Sequence, residues 1–166
     1  MKLKTSKQWG THLAYPSYFF SWKMREALKC ARMGLEKGEV PVGALVLSPT
    51  KEIIASSHNY VETLQDPTAH AEILALKQAS KLLKRKYLKD CTLVVTLEPC
   101  PLCASAAMLY RVGRIVFGAY DPKGGGIEHG ARIFNRKQTL HRPEIIGGVE
   151  EHVNKQLLKE FFTNLR

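Results

Sequence analysis

The run TLVVTL at residues 92–97 is continuous, apolar and rich in β-branched residues, and it is followed at once by EPCPLCASAAMLYRV, a proline-bracketed, alanine-rich helical stretch. A buried strand feeding straight into a helix is the repeating unit of α/β folds, and the chain uses it more than once. RIVFGAYD (114–121) is another buried strand of the same type. EIIGGV (144–149) reads as a shorter one after an irregular stretch, and a closing helix is expected from about 150 to 164. Upstream, Phe20, Met24, Ala27, Leu28, Ala31 and Leu35 fall at helical spacing and mark a long first helix beginning at Ser17. PVGALVL and EIIASSHN, separated by a turn at Pro49, then form an antiparallel hairpin ending at His58 and Asn59. Asp66-Pro67 opens the next helix, AHAEILALKQASKLLK, because proline at a first helical position gives up no needed hydrogen bond. A hairpin followed by β/α crossovers predicts an α/β sandwich.

At 166 residues and 45% hydrophobic, the chain suits one domain with its own core. Residues 1–16 are polar, basic and aperiodic and are read as an N-terminal extension, leaving 17–166 as the domain. Lysine and arginine total 25 against 15 acidic residues, a formal charge of +10 that favours a polyanionic partner, nucleic acid first. No segment has the length and apolarity of a signal peptide core or a membrane span, so no membrane is expected and the cytoplasm is the expected compartment. Gly124-Gly125-Gly126 lacks the lysine and hydroxyl residue of a phosphate-binding loop and marks a mobile or tightly turned loop.

Four cysteines, two as Cys100-Pro101-Leu102-Cys103 and two apart at Cys30 and Cys91, do not make a disulfide framework. The C-x-x-C pair alone admits half a structural zinc site, a redox dithiol or two buried thiols. A structural knot needs a second close pair of ligands, which Cys30 and Cys91 cannot supply; they read as buried small hydrophobes. A catalytic zinc needs only three protein ligands, and His70 is the candidate third, since it and the cysteines both sit where a helix begins. Two thiolates and an imidazole leave the site near neutrality, still able to lower the pKa of water. Glu72, two residues on, is placed to shuttle protons.

His70-Ala71-Glu72 followed by Glu98-Pro99-Cys100-Pro101-Leu102-Cys103 resembles the H-x-E…P-C-x-x-C signature of zinc nucleobase deaminases. PVGALV, His58-Asn59, DPTAHAEILALKQAS, TLVVTLEPC, RIVFGAYDPKGG and HRPEI, in that order over residues 18–165, resemble the bacterial tRNA-specific adenosine deaminases. The resemblance implies a three-layer α/β/α sandwich around a mixed sheet of about five strands. It further implies one Zn²⁺ per subunit on His70, Cys100 and Cys103, and hydrolysis of a flipped wobble adenosine (position 34) to inosine with Glu72 as general acid and base. By the same resemblance Asn59 hydrogen-bonds the base and Asp121 contacts the neighbouring ribose, although both also suit ordinary turns. The Ala71 and Cys100 N–H groups would steady the tetrahedral intermediate. The implied partners are the anticodon stem-loop of a tRNA, an arginine tRNA in this family, and a second copy in a homodimer.

Where the family carries Asn-His-Arg before the last strand, this chain has Leu140-His141-Arg142, so one polar contact is missing or supplied elsewhere. Lys81, Lys84, Arg85, Lys86 and Lys89 read as a solvated helix face, whereas Arg132, Arg136, Lys137, His141 and Arg142 are expected to meet phosphate. Phe161 and Phe162 are expected to dock the last helix on the core, the alternative implied by the resemblance being that one stacks on an anticodon base. Two competing functions share these residues: a deaminase of a free base or nucleoside, of guanine or cytosine type, and a non-enzymatic zinc-stabilised RNA-binding module. The charge and the basic segment weigh against the first, and Glu72, useless to a structural metal, against the second.

Overall fold

The computed structural model describes residues 17–164, so the expected extension at 1–16 lies outside the described residues. Helix α1 (Ser17–Leu35) leads into strands β1 (Gly43–Leu47) and β2 (Ile53–His58). A single turn, α2 (Val61–Leu64), then precedes α3 (Ala71–Leu83), β3 (Thr92–Leu97), α4 (Pro101–Leu109) and β4 (Arg114–Ala119). A 3-10 turn at Ile133–Asn135, the short strand β5 (Glu144–Ile146) and α5 (Glu151–Asn164) complete the chain. The strands form one sheet in the order β2-β1-β3-β4-β5, antiparallel from β2 to β3 and parallel from β3 to β5, which is the expected mixed sheet. No described helix is long and apolar enough to cross a membrane.

The period-two alternation of the strands builds both cores. Val46, Leu93, Val95, Ile115 and Phe117 point to one face and pack with Ala75, Leu76 and Ala79 of α3 and Ala104 and Ala107 of α4. Leu45, Leu47, Val94 and Val116 point to the other and pack with Phe20, Met24 and Ala27 of α1. Strands β1 and β4 are therefore buried along their whole length, as continuous apolar runs should be when helices cover both faces. At the far edge Arg114, only 9% exposed, gives Nε and Nη2 to Glu144 at 2.8 and 2.7 Å, tying β5 to β4 where the two residues are in register.

Several boundaries differ from those expected. Helix α3 starts at Ala71 rather than Pro67, because the Asp66 carboxylate accepts the Thr68 N–H and hydroxyl at 2.8 and 2.7 Å and closes a turn instead. Strand β5 stops at Ile146, where Gly147 packs against Phe117 and Tyr120 and Gly148, at φ +79°, turns the chain. Helix α3 ends at Leu83, with Lys84 in the left-handed region, so of the basic run only Lys81 lies on a helix. The turn α2 has no hydrophobic periodicity to reveal it, being held by a distant side chain described below.

Helix α1 crosses β1 at Gly43, where a Cβ would lie 2.1 Å from the Ala27 carbonyl oxygen and 2.6 Å from the Ala31 nitrogen. Both obstacles are backbone and cannot rotate away. Gly43→Ala is expected to lower stability by about 1–3 kcal/mol, the range for overpacking. An unchanged urea midpoint would show that α1 can move off the sheet.

Candidate active site

At one end of the sheet the chain leaves β2, β3 and β4 and enters β1, and the loops there enclose a cleft of about 630 Å³. Asn59, His70, Glu72, Cys100 and Asp121 all line it, as do Glu39, Glu98, Phe161 and Phe162. Local rules put the first group there. His70 is the N-cap of α3 and Cys100 the N-cap of α4, and neither side chain caps its own helix, so both are free to point into the cleft. Pro101 at the start of α4 gives up an N–H that the first turn does not need.

The His70 Nδ1 lies 3.3 Å from Cys103 Sγ and 3.6 Å from Cys100 Sγ, and the three ligand atoms fall within 4.8 Å of one another. Zinc bonds of about 2.0–2.1 Å to nitrogen and 2.3 Å to sulfur at tetrahedral angles put N and S about 3.5 Å apart. The observed spacing matches, and the donor set suits zinc, so these residues fit the metal. Two helix N-termini face the same point and favour anionic sulfur. A hydrogen bond from the Cys103 thiol, aided by one from His70, holds the Cys100 thiol down to about 4 despite burial. The same bond, with burial, pushes Cys103 up, so without metal the pair shares a proton that binding would expel.

Three acidic side chains are buried in this cleft, and their surroundings separate them. Glu72, 4% exposed in the first turn of α3, is pushed above the usual carboxylate range by burial. It is thereby suited to carry a proton. Burial also acts on Glu39 and Glu98, but N–H donors outweigh it and hold both below the usual range. Glu39 accepts from the Thr63 N–H and hydroxyl and from the Glu62 N–H. Glu98 accepts from Asp121, Ile127, Glu128 and His129. These two stay ionised and engaged by protein donors, whereas Glu72 is the one of the three whose proton affinity is raised.

Asn59 is 8% exposed and fixed from two sides, its Oδ1 accepting the Ala71 N–H at 2.9 Å and its Nδ2 donating to the Val40 carbonyl at 3.1 Å. The second Nδ2 hydrogen and a lone pair on Oδ1 remain for a ligand. The Ala71 N–H, expected to steady an intermediate, is engaged by the Asn59 side chain. Asp121 lines the cleft and also accepts the Lys123 and Gly124 N–H groups at 3.1 and 2.9 Å, the bonds of an ordinary turn. Phe161 and Phe162, expected in the core, stand at the cleft instead, with Phe162 51% exposed. Sequence reasoning missed Glu39 altogether. Glu98 stands out in the sequence only as part of a motif, since nothing local distinguishes an acid that serves amides elsewhere in the chain.

Residues 20–119 match the family described as the cytidine and deoxycytidylate deaminase zinc-binding region. The tRNA-specific adenosine deaminase of Bacillus subtilis is 47% identical over 143 residues, covering 86% of this chain and 88% of the relative. That of Rickettsia typhi is 43% identical over 144 residues, covering 86% and 97%. A solved structure from studies of A-to-I editing by tRNA:A34 deaminases at the wobble position superposes with a TM-score of 0.79 at 38% identity, covering 86% of this chain and 99% of that one.

Cys103 is fully buried beneath the cleft. Cys103→Ser is expected to drop zinc, measured by atomic absorption, from about one per chain to near none and to lower Tm, because metal binding and folding are coupled. A zinc-replete Cys103→Ser protein with unchanged Tm would remove this thiol from the ligand set.

Proposed function

The chain belongs to the tRNA-specific adenosine deaminases of the cytidine and deoxycytidylate deaminase zinc-binding family, and we propose that it converts the wobble adenosine, position 34, of a tRNA anticodon to inosine. The observation that carries this reading is the cleft itself, with a His-Cys-Cys cluster, one proton-competent carboxylate and a rigidly held amide around a single cavity. His70, Cys100 and Cys103 hold the metal. When bound, zinc supplies the Lewis acidity that activates water for attack on C6 of the purine.

The protein groups do the rest. The Glu72 carboxylate takes a proton from the attacking water and delivers it to N1 of the ring, and the new C–O bond forms as the C6–N1 double bond is lost. It then carries the remaining hydroxyl proton to the 6-amino group, the C6–N bond breaks, and ammonia leaves with inosine as the product. Asn59, held from Val40 and Ala71, offers its spare Nδ2 hydrogen to the base and fixes its orientation. Asp121, at the opposite lip, receives the ribose of the neighbouring nucleotide. Arg132, Arg136, Lys137 and Arg142 are exposed beyond it, and Arg136 and Arg142 are braced by donating to backbone carbonyls, which presents fixed cations to an RNA backbone. Leu140, 80% exposed, brings no polar group to that surface. The substrate is an arginine tRNA, and the compartment is the cytoplasm, where that tRNA works.

A homodimer is part of the same proposal. The outer face of α4 leaves Leu102 and Leu109 exposed at 44% and 64%, and Leu102 sits between the two cysteines, so a second copy packed there would border the metal centre. Leu109→Lys is expected to shift the mass in sedimentation equilibrium from dimer to monomer; an unchanged mass would place the interface elsewhere.

Incubating the protein with an anticodon stem-loop carrying a wobble adenosine, beside free adenosine, guanine and cytidine, is expected to yield inosine in the RNA alone. Reaction with a free base would reassign the substrate class. Glu72→Ala is expected to keep zinc and fold while losing at least about 100-fold in kcat, the lower range for removing a general acid–base. A Glu72→Ala enzyme of near-normal kcat would overturn its role.

A further inference from the structure

Two acids in the cleft wall, Glu39 and Glu98, are 0% and 2% exposed and have no part in the chemistry above. Each holds backbone from a different loop. Glu39 follows α1 and grips the segment after β2: its Oε1 accepts the Thr63 N–H at 2.8 Å and the Thr63 hydroxyl at 2.7 Å, and its Oε2 the Glu62 N–H at 3.1 Å. Glu98 follows β3 directly and grips the segment after β4. Its Oε1 accepts the N–H groups of Ile127, Glu128 and His129 at 3.2, 2.8 and 2.9 Å, while its Oε2 accepts that of Asp121 at 3.1 Å and lies 2.8 Å from His129 Nδ1. In the sheet order β2 and β4 lie on either side of the central β1–β3 pair, so the two gripped segments approach the cleft from opposite sides.

The glycine run explains how closely the second segment is pressed into place. A Cβ on Gly125 would stand 2.6 Å from the Glu98 carboxyl carbon, and one on Gly126 2.7 Å from the Pro101 nitrogen and 2.8 Å from the Cys100 carbonyl carbon. The loop therefore lies flush against the acid and the cysteine turn, and the Gly126 N–H closes on the Pro99 carbonyl at 2.8 Å. All four carboxylate oxygens of the two acids already accept from protein donors.

We infer that Glu39 and Glu98 are positioning residues that set the spacing of the two cleft walls, and through it the fit of the RNA, without acting on the metal or the reacting atoms. Glu39 places Val61 and Glu62, and Glu98 places Asp121 and Gly124, all of which line the cleft. Glutamine in place of either acid keeps the shape but turns an N–H₂ group toward N–H donors, so the gripped segment must release.

For its kinetic arm the inference rests on the RNA reading. Glu39→Gln and Glu98→Gln are expected to keep full zinc and a kcat within about threefold of wild type while raising KM for the anticodon stem-loop about tenfold or more, the pattern of lost substrate binding. Hydrogen exchange, run without RNA, is expected to speed up at 61–64 in the first variant and at 121–129 in the second, each change confined to its own segment. Should either variant fail to fold, Thr63→Val and His129→Phe, which remove one donor each, are expected to shift exchange and KM the same way to a smaller degree. Unchanged exchange in these segments, loss of zinc, or a fall in kcat at constant KM would each overturn the inference. If wild-type protein turns over no RNA, the proposed substrate fails, and the exchange arm still decides whether the acids set the walls.

Discussion

The parallel pairing of β3 with β4 is the constraint on which the site depends. Two parallel neighbours cannot be joined by a tight turn, so the chain must leave β3, cross one face of the sheet as α4 and return, and both strands then end on the same side. That brings the cysteine turn after β3 beside the Asp121 loop after β4. Because β1 runs antiparallel to β3 and β2 antiparallel to β1, the end of β2 arrives at this side too, carrying Asn59. Helix α3 begins there with His70, and two helix starts converge where thiolates must be stabilised.

Burial of polar groups at this end follows a division of labour. Glu39 and Glu98 satisfy amides that would otherwise be orphaned in turns, and Asn59 bridges Val40 to Ala71. Glu72 has burial without such a set of donors, and its proton affinity rises accordingly. The same residue type is thus held ionised or given a raised proton affinity according to how many N–H groups surround it.

What could be read in advance divides along the same line. The strands 92–97 and 114–119 and helix α1 carry periodicity strong enough to be recognised locally, as do the proline before α4 and the His-x-Glu and Cys-x-x-Cys spacings. Errors gathered where a particular side-chain contact, local or distant, overrode the composition of the segment. Asp66-Pro67 has the composition of a helix start, but the Asp66 side chain closed a turn on Thr68 first. The single turn of α2 exists because Glu39, more than twenty residues earlier, caps it. The lysines after Leu83 leave the helix, and Phe161 and Phe162 face the cleft, because the last helix borders the site as well as the core.

The sequence by itself determined the α/β architecture and the His-x-Glu and Cys-x-x-Cys spacings that mark the candidate site, since hydrophobic period and short-range spacing are local properties written into consecutive residues. Only the tertiary structure decided which of three buried glutamates has its proton affinity raised, that the Ala71 N–H belongs to Asn59, and that the glycine run presses against Glu98 and the cysteine turn. Each of those outcomes depends on which amides and side chains long-range folding brings within hydrogen-bonding reach, and no local pattern encodes that.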